Sequence, residues 1–135
     1  MTAEPASLHV LSADESLQLV AGHPIHLGRV GMTVDGWPLV LPVNYRLHEG
    51  RIIVRTADGQ LLDTARRGER VAFEVDAVDL AWQEGWSVVI QGRASEVVDD
   101  DELSQLRRLP LKAWAGPRER FVQILPATIT GRRIV

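Results

Sequence analysis

Hydrophobic and polar positions change period several times along the chain. Ser12 and Glu15 form a capping-box pattern, the hydroxyl accepting from an orphan N–H and the carboxylate reaching back to the cap. Leu17, Val20 and Ala21 then make a short apolar stripe, and Gly22-His23-Pro24 ends this predicted helix. From His26 the period becomes strand-like: Val30, Met32 and Val34 alternate with Gly31 and Thr33. Asp35-Gly36 is a hairpin turn, and Trp37 to Arg46 is the returning strand. Pro38 and Pro42 cannot donate to a ladder, so this strand should have an unpaired side or a bend there.

After a turn at His48-Glu49-Gly50, Arg51 to Thr56 is a third strand with Ile52 and Val54 on one face. Asp58-Gly59 breaks it. Gln60 to Arg67 suits a two-turn helix with Leu61, Leu62 and Ala65 apolar and Gly68 at its C-terminus. Arg70 to Asp76 is a fourth strand, Ala77 to Gly85 a loop, and Trp86 to Val98 the longest strand, with Gly92 marking a bulge. Asp99 caps a helix that runs to Arg108 and stops at Pro110. Leu111 to Glu119 is irregular, and two strands broken by Pro126, Phe121 to Leu125 and Thr128 to Val135, complete the sheet. Six or seven short strands joined largely by hairpins argue for a closed or nearly closed antiparallel barrel, which also removes exposed edges.

The 135 residues are expected to form one domain, 1–135, with 1–7 a loose end. Lys and Arg number 15 against 18 Asp and Glu, a net charge of −3. That balance offers no general basic field for a nucleic acid or an anionic membrane. No apolar run approaches the ~20 residues of a membrane helix, and the first ten residues lack a signal-peptide pattern, so a cytoplasmic location is expected. The absence of cysteine excludes disulfides, thiolate metal sites and thiol catalysis.

Several clusters carry chemistry in principle. His23 and His26 lie three apart, but Pro24 separates them and no third ligand is near, so no metal site is expected. Asp99 to Glu102 is accounted for by the helix start it occupies. Glu74, Asp76 and Asp79 could serve as an acid/base set, although Glu74 and Asp76 fall on the solvent face of their strand. Ser87 sits in no nucleophile-elbow pattern, and the usual Gly-rich phosphate loops are absent. What remains is Arg55, Thr56 and Gly59 ahead of a helix: a guanidinium, a hydroxyl and backbone N–H groups suited to an anion.

Gly28-Arg29-Val30, Asp35-Gly36, Pro42-Val43-Asn44-Tyr45, Arg55-Thr56, Val71 to Asp76, Gly85-Trp86-Ser87-Val88 and Gly92-Arg93 fall in one order. Together they resemble the pyridoxamine 5′-phosphate oxidase-like FMN-binding split-barrel proteins, in particular the small actinobacterial-type branch related to nitroimidazole-resistance proteins. Ala113-Trp114-Ala115 and Ile129 to Arg133 fit the same branch, and the likeness covers nearly everything from Glu15 onward. The resemblance implies a split β-barrel homodimer with FMN in a groove at the subunit interface and a small-molecule substrate. It implies that Pro42, Val43, Asn44 and Tyr45 run along the flavin ring, that Arg55, Thr56, Gly59 and Gln60 face the phosphate, that Trp86 and Ser87 approach the ring or ribityl chain, and that Trp114 and Arg118 close the pocket from the partner.

One motif departs. Where this family usually reads G-[ST]-K, the chain reads Gly59-Gln60-Leu61, so two phosphate-holding side chains are changed. Loss of one charge-assisted contact costs about 1.5–3 kcal/mol, roughly ten- to a hundredfold in affinity. Two readings follow. In the first, the chain is a flavin (FMN) or deazaflavin (F420) dependent oxidoreductase. In the second, it is a degenerate family member that binds flavin, F420 or haem without catalysis.

Overall fold

The computed structural model describes residues 7–112 and 120–134. Seven strands and three short helices follow in the order β1 (Leu8–Leu11), α1 (Ala13–Gly22), β2 (Leu27–Val34), β3 (Trp37–His48), β4 (Arg51–Thr56), α2 (Gln60–Arg66), β5 (Arg70–Asp79), β6 (Glu84–Val97), α3 (Asp100–Leu106) and β7 (Arg120–Ile134). The sheet runs β1-β7-β4-β3-β2-β5-β6, all antiparallel, and β6 pairs back onto β7 to close the barrel. Among the described residues no helix is long and apolar enough to cross a membrane.

Local chemistry accounts for the elements. Ser12 accepts from the Glu15 amide at 3.1 Å while Glu15 accepts from the Ser12 amide at 3.0 Å, so the capping box at α1 is complete. Asp35 and Gly36 both take positive φ, 52° and 80°, as a tight hairpin between twisted strands requires. The prolines of β3 sit where their missing N–H does no harm. Tyr45 donates its amide toward β2, to the His26 carbonyl, so even-numbered residues turn theirs the other way. On that side β4 pairs only with Tyr45 to His48, leaving Pro38 and Pro42 beside an unpaired edge.

Two cores result. Inside the barrel, Tyr45, Ile52, Val54, Phe73, Ile90 and Ile124 pack without solvent contact, with Leu61, Leu62 and Ala65 of α2 closing one end. Outside it, Ile53, Val97 and Phe121 pack against Leu106 and Leu111, which explains why three consecutive residues of β4 are buried. Tyr45 meets Phe73 edge-on at 5.0 Å, and its hydroxyl donates to the Val20 carbonyl at 2.6 Å. That carbonyl belongs to the last turn of α1, where no intrahelical donor remains. Burial pushes the phenol up to about 12, with the Arg46 charge opposing.

The strand pattern needs four corrections. Leu8–Leu11, assigned to no element by its pattern, is a strand on β7. The expected loop at 77–85 is largely hairpin: Ala77, Val78 and Asp79 pair with Trp86, Gly85 and Glu84. Pro126 does not divide the final segment, since β7 is continuous and Pro126 pairs with Gly92. Gly92 does mark a bulge, but the extra residue, Ala127, belongs to β7. The glycine is needed because any Cβ there would overlap the Leu125 carbonyl.

On the barrel exterior Arg29 lies 3.3 Å from Glu74 and 3.6 Å from Asp76. Partial burial, then the hydrogen bond and charge of Asp76, push the Glu74 carboxyl up to about 7, against the pull of Arg29. The folded state therefore holds a proton that the unfolded chain gives up near 4.5. Stability from this group is complete below that value and is lost as pH rises through about 7. Glu74→Gln should accordingly improve in stability relative to the native chain between pH 5 and pH 8, as read by chemical denaturation; a difference independent of pH would contradict the assignment. Tyr45→Phe should cost about 1–3 kcal/mol in the same measurement, because the Val20 carbonyl stays buried without its donor.

Candidate functional site

Alternation along β3 sends Val43 and Tyr45 inward and leaves Pro42, Asn44 and Arg46 on the outside of the barrel. On β4 the same rule places Arg55 outside with Ile53, and its guanidinium carbon lies 5.6 Å from the centre of the Phe121 ring. The chain then turns through Ala57-Asp58-Gly59 into α2. No side chain caps this helix: Gly59 has none to offer, and its carbonyl accepts from the Asp63 amide.

These elements enclose a cavity of about 330 Å³. Pro42 and Val43 form one wall, and Arg55, Thr56, Gly59, Gln60 and Leu61 the other. Seven of the residues expected around a phosphate and flavin are thus brought together. Leu61 enters mainly as a core residue, only 4% exposed and packed with the barrel interior. Where the family resemblance implies a lysine for the phosphate, this chain uses the position for packing. Asp58 also lines the cavity, in the field of Arg66.

Asn44 and Tyr45 lie beside a neighbouring cavity of about 410 Å³, and the Tyr45 side chain is directed into the core. Trp86 and Ser87 are elsewhere. Trp86 is opposite Arg133 near one end of β7, whereas Arg55 is opposite Phe121 near the other. Trp86 instead meets His23 edge-on at 5.5 Å, and Ser87 faces Asp76 and Arg132 across its two ladders. Trp114 and Arg118 lie outside the described residues.

A feature absent from the sequence reading links the two cavities. Arg46 donates through Nε to the Pro110 carbonyl at 2.9 Å, Arg55 through Nη1 to the Leu111 carbonyl at 2.9 Å, and Asn44 through Nδ2 to the Lys112 carbonyl at 3.3 Å. Three side chains from the outer faces of β3 and β4 thereby hold three consecutive carbonyls of the strap that follows α3. Arg46 Nη1 also lies 2.6 Å from the His26 ring nitrogen Nε2. Burial first, and the Arg46 charge second, keep the imidazole below its usual range, so His26 is an uncharged acceptor near neutral pH. The period-two set Pro42, Asn44, Arg46 was the one available signal for this arrangement.

Other clusters follow their structural roles. Asp99 caps α3 by accepting from the Glu102 amide at 3.0 Å, and Glu102 lies 3.6 Å from Arg51. Among the described residues no group of three or more His, Asp or Glu is placed to hold a metal.

Comparison with known proteins agrees with this fold. An uncharacterised Mycobacterium tuberculosis protein, Rv0080, is 37% identical over 131 residues, 93% of this chain and 84% of its own. The structure of the FAD binding protein from Mycobacterium smegmatis superposes with a TM-score of 0.75 at 34% identity, covering 92% of this chain and 95% of that one. A pyridoxamine 5′-phosphate oxidase candidate from Corynebacterium glutamicum superposes with a TM-score of 0.82 at 32% identity, covering 94% and 98%. The family model for pyridoxamine 5′-phosphate oxidase matches residues 12–133, and the chain belongs to that family.

Proposed function

We propose that this protein binds a flavin, with a phosphate of the cofactor in the cavity between β3 and the β4–α2 turn, and acts as an oxidoreductase on a small organic molecule. The observation that carries the proposal is the convergence of Arg55, Thr56 and the Gly59–Gln60 backbone on one concave site. A guanidinium, a hydroxyl and amide N–H groups suit a phosphate oxyanion. FAD is favoured over FMN or F420 because the Mycobacterium smegmatis relative, similar over nearly its whole length, is an FAD binding protein. Bound flavin supplies the electron and hydride chemistry, and the chain's own residues bind it, orient it and exclude water.

At about 330 Å³ the cavity lies near the bottom of the roughly 300–1,000 Å³ range of small-molecule sites. That size favours a phosphate end held by one protomer and a ring covered by another. The homodimer reading gains support from a cavity of about 730 Å³ lined by β2, β3, β5, β6 and β7. Gly31, Val40 and Ala72 line it beside Arg70 and Arg93, with the exposed Trp37 on the same hairpin. In such a dimer Trp86 and Ser87, remote from Arg55 within one chain, would reach the ring from the second copy.

Leu61 supports a second reading, ligand binding without turnover. Its packing role removes the cation that the resemblance implies at the phosphate.

The visible spectrum of the purified protein, with chromatography of acid-released cofactor, tests binding; titrations with FAD, FMN and F420 rank the ligands. A colourless protein that binds none of them on the order of tens of micromolar would refute the proposal. Arg55→Ala should weaken flavin binding roughly ten- to a hundredfold. Arg55→Lys keeps the charge and separates this loss from release of the Leu111 carbonyl. Bound flavin that is reduced yet passes electrons to no organic acceptor would favour the non-catalytic reading.

A further inference from the structure

The second cavity on β3 has a charge composition of its own. His26, Asn44, Arg46 and Lys112 line it, and among the described residues no carboxylate does. Elsewhere among the described residues Arg29, Arg51, Arg66, Arg67 and Arg120 each lie between 2.7 and 3.8 Å from a carboxylate. Arg46 is half-buried, yet its described contacts are the Pro110 carbonyl and the His26 ring. A carbonyl and an uncharged imidazole accept hydrogen bonds but do not neutralise a cation. Partly desolvated positive charge of this kind gains from an incoming anion. The guanidinium carries five donors in a fixed fork, of which these contacts engage Nε and one Nη.

We propose that this cavity is a separate oxyanion site, which takes the phosphate or diphosphate group of a small organic molecule between Arg46, Lys112 and Asn44. The inference rests on the cavity and its charges, whether or not flavin occupies the first site. Its phosphate could belong to the diphosphate of a dinucleotide flavin reaching along β3, or to an independent phosphorylated ligand. At about 410 Å³ there is room for such a group with part of the molecule that carries it. The strap becomes part of the site, because the Asn44 hydrogen bond to the Lys112 carbonyl fixes the backbone from which the lysine projects.

His26 is a built-in reporter. Arg46 and Lys112 are the cations around it, the Ala21 carbonyl acts against them, and the Tyr45 ring stands roughly perpendicular to it at 5.7 Å. An anion beside Arg46 offsets the repulsion and raises the imidazole pKa. The test is NMR of the His26 ring in the full chain during titration with inorganic phosphate and pyrophosphate at constant ionic strength. We expect a saturable shift and an upward-moving His26 pKa, with affinity reduced about tenfold or more in Arg46→Gln and in Lys112→Gln. Lys112 is exposed, so the second variant keeps the test informative if the first fails to fold. No saturable shift, or an undiminished one in both variants, would overturn the site. Repeating the titration with FAD and with FMN identifies the source: blockage by FAD alone assigns the dinucleotide, and blockage by neither an independent ligand. Flavin binding is read separately from the visible spectrum, so its failure leaves the phosphate result readable.

Discussion

The ladder between β6 and β7 is the constraint on which the rest depends. It runs without a gap from Gly85–Ile134 to Val97–Phe121, absorbing one extra residue at Ala127. Through it β7 serves two further partners on its other edge, β4 along its first part and β1 along its last. One strand thus fixes both the Arg55 end and the Trp86 end of the molecule. The distance between those residues is a property of closure, not of any loop.

Along the strap that follows α3, polar order takes the form of side-chain donors, two of them charged, on carbonyls. Arg46, Arg55 and Asn44 tie down three successive peptide groups of the strap, and the strap in turn carries Leu111 into the outer core. Hydrogen bonds from charged donors are about twice as strong as neutral ones, so this is an economical way to hold an irregular segment. It also sets one guanidinium beside each of two cavities.

Much of the fold was legible because its signals are local. Ser12-Glu15, Asp35-Gly36, Asp99 and the alternation in β2 and β5 each specify backbone geometry within a few residues. What was hidden depends on distant partners. Leu8–Leu11 is a mostly exposed strand, and only residues 131–134 make it one. Pro126 looks like a break until the bulge beside it is known. The site divides the same way. Arg55, Thr56 and Gly59 stood out as a cluster and do line one cavity, whereas the carbonyls of Pro110 to Lys112 have no signature in side-chain identity. Leu61 read as a missing phosphate ligand, and its burial adds the reason the position is apolar.

Closure by the last strand in chain order also bears on synthesis. During vectorial emergence from a ribosome, β2 to β6 can pair locally, but β4, β6 and β1 all wait for β7. Until it arrives, two sheet edges and the apolar barrel interior stay open, and such edges invite pairing with other chains. The barrel is therefore completed in one late step, and protection of the nascent chain matters most just before it.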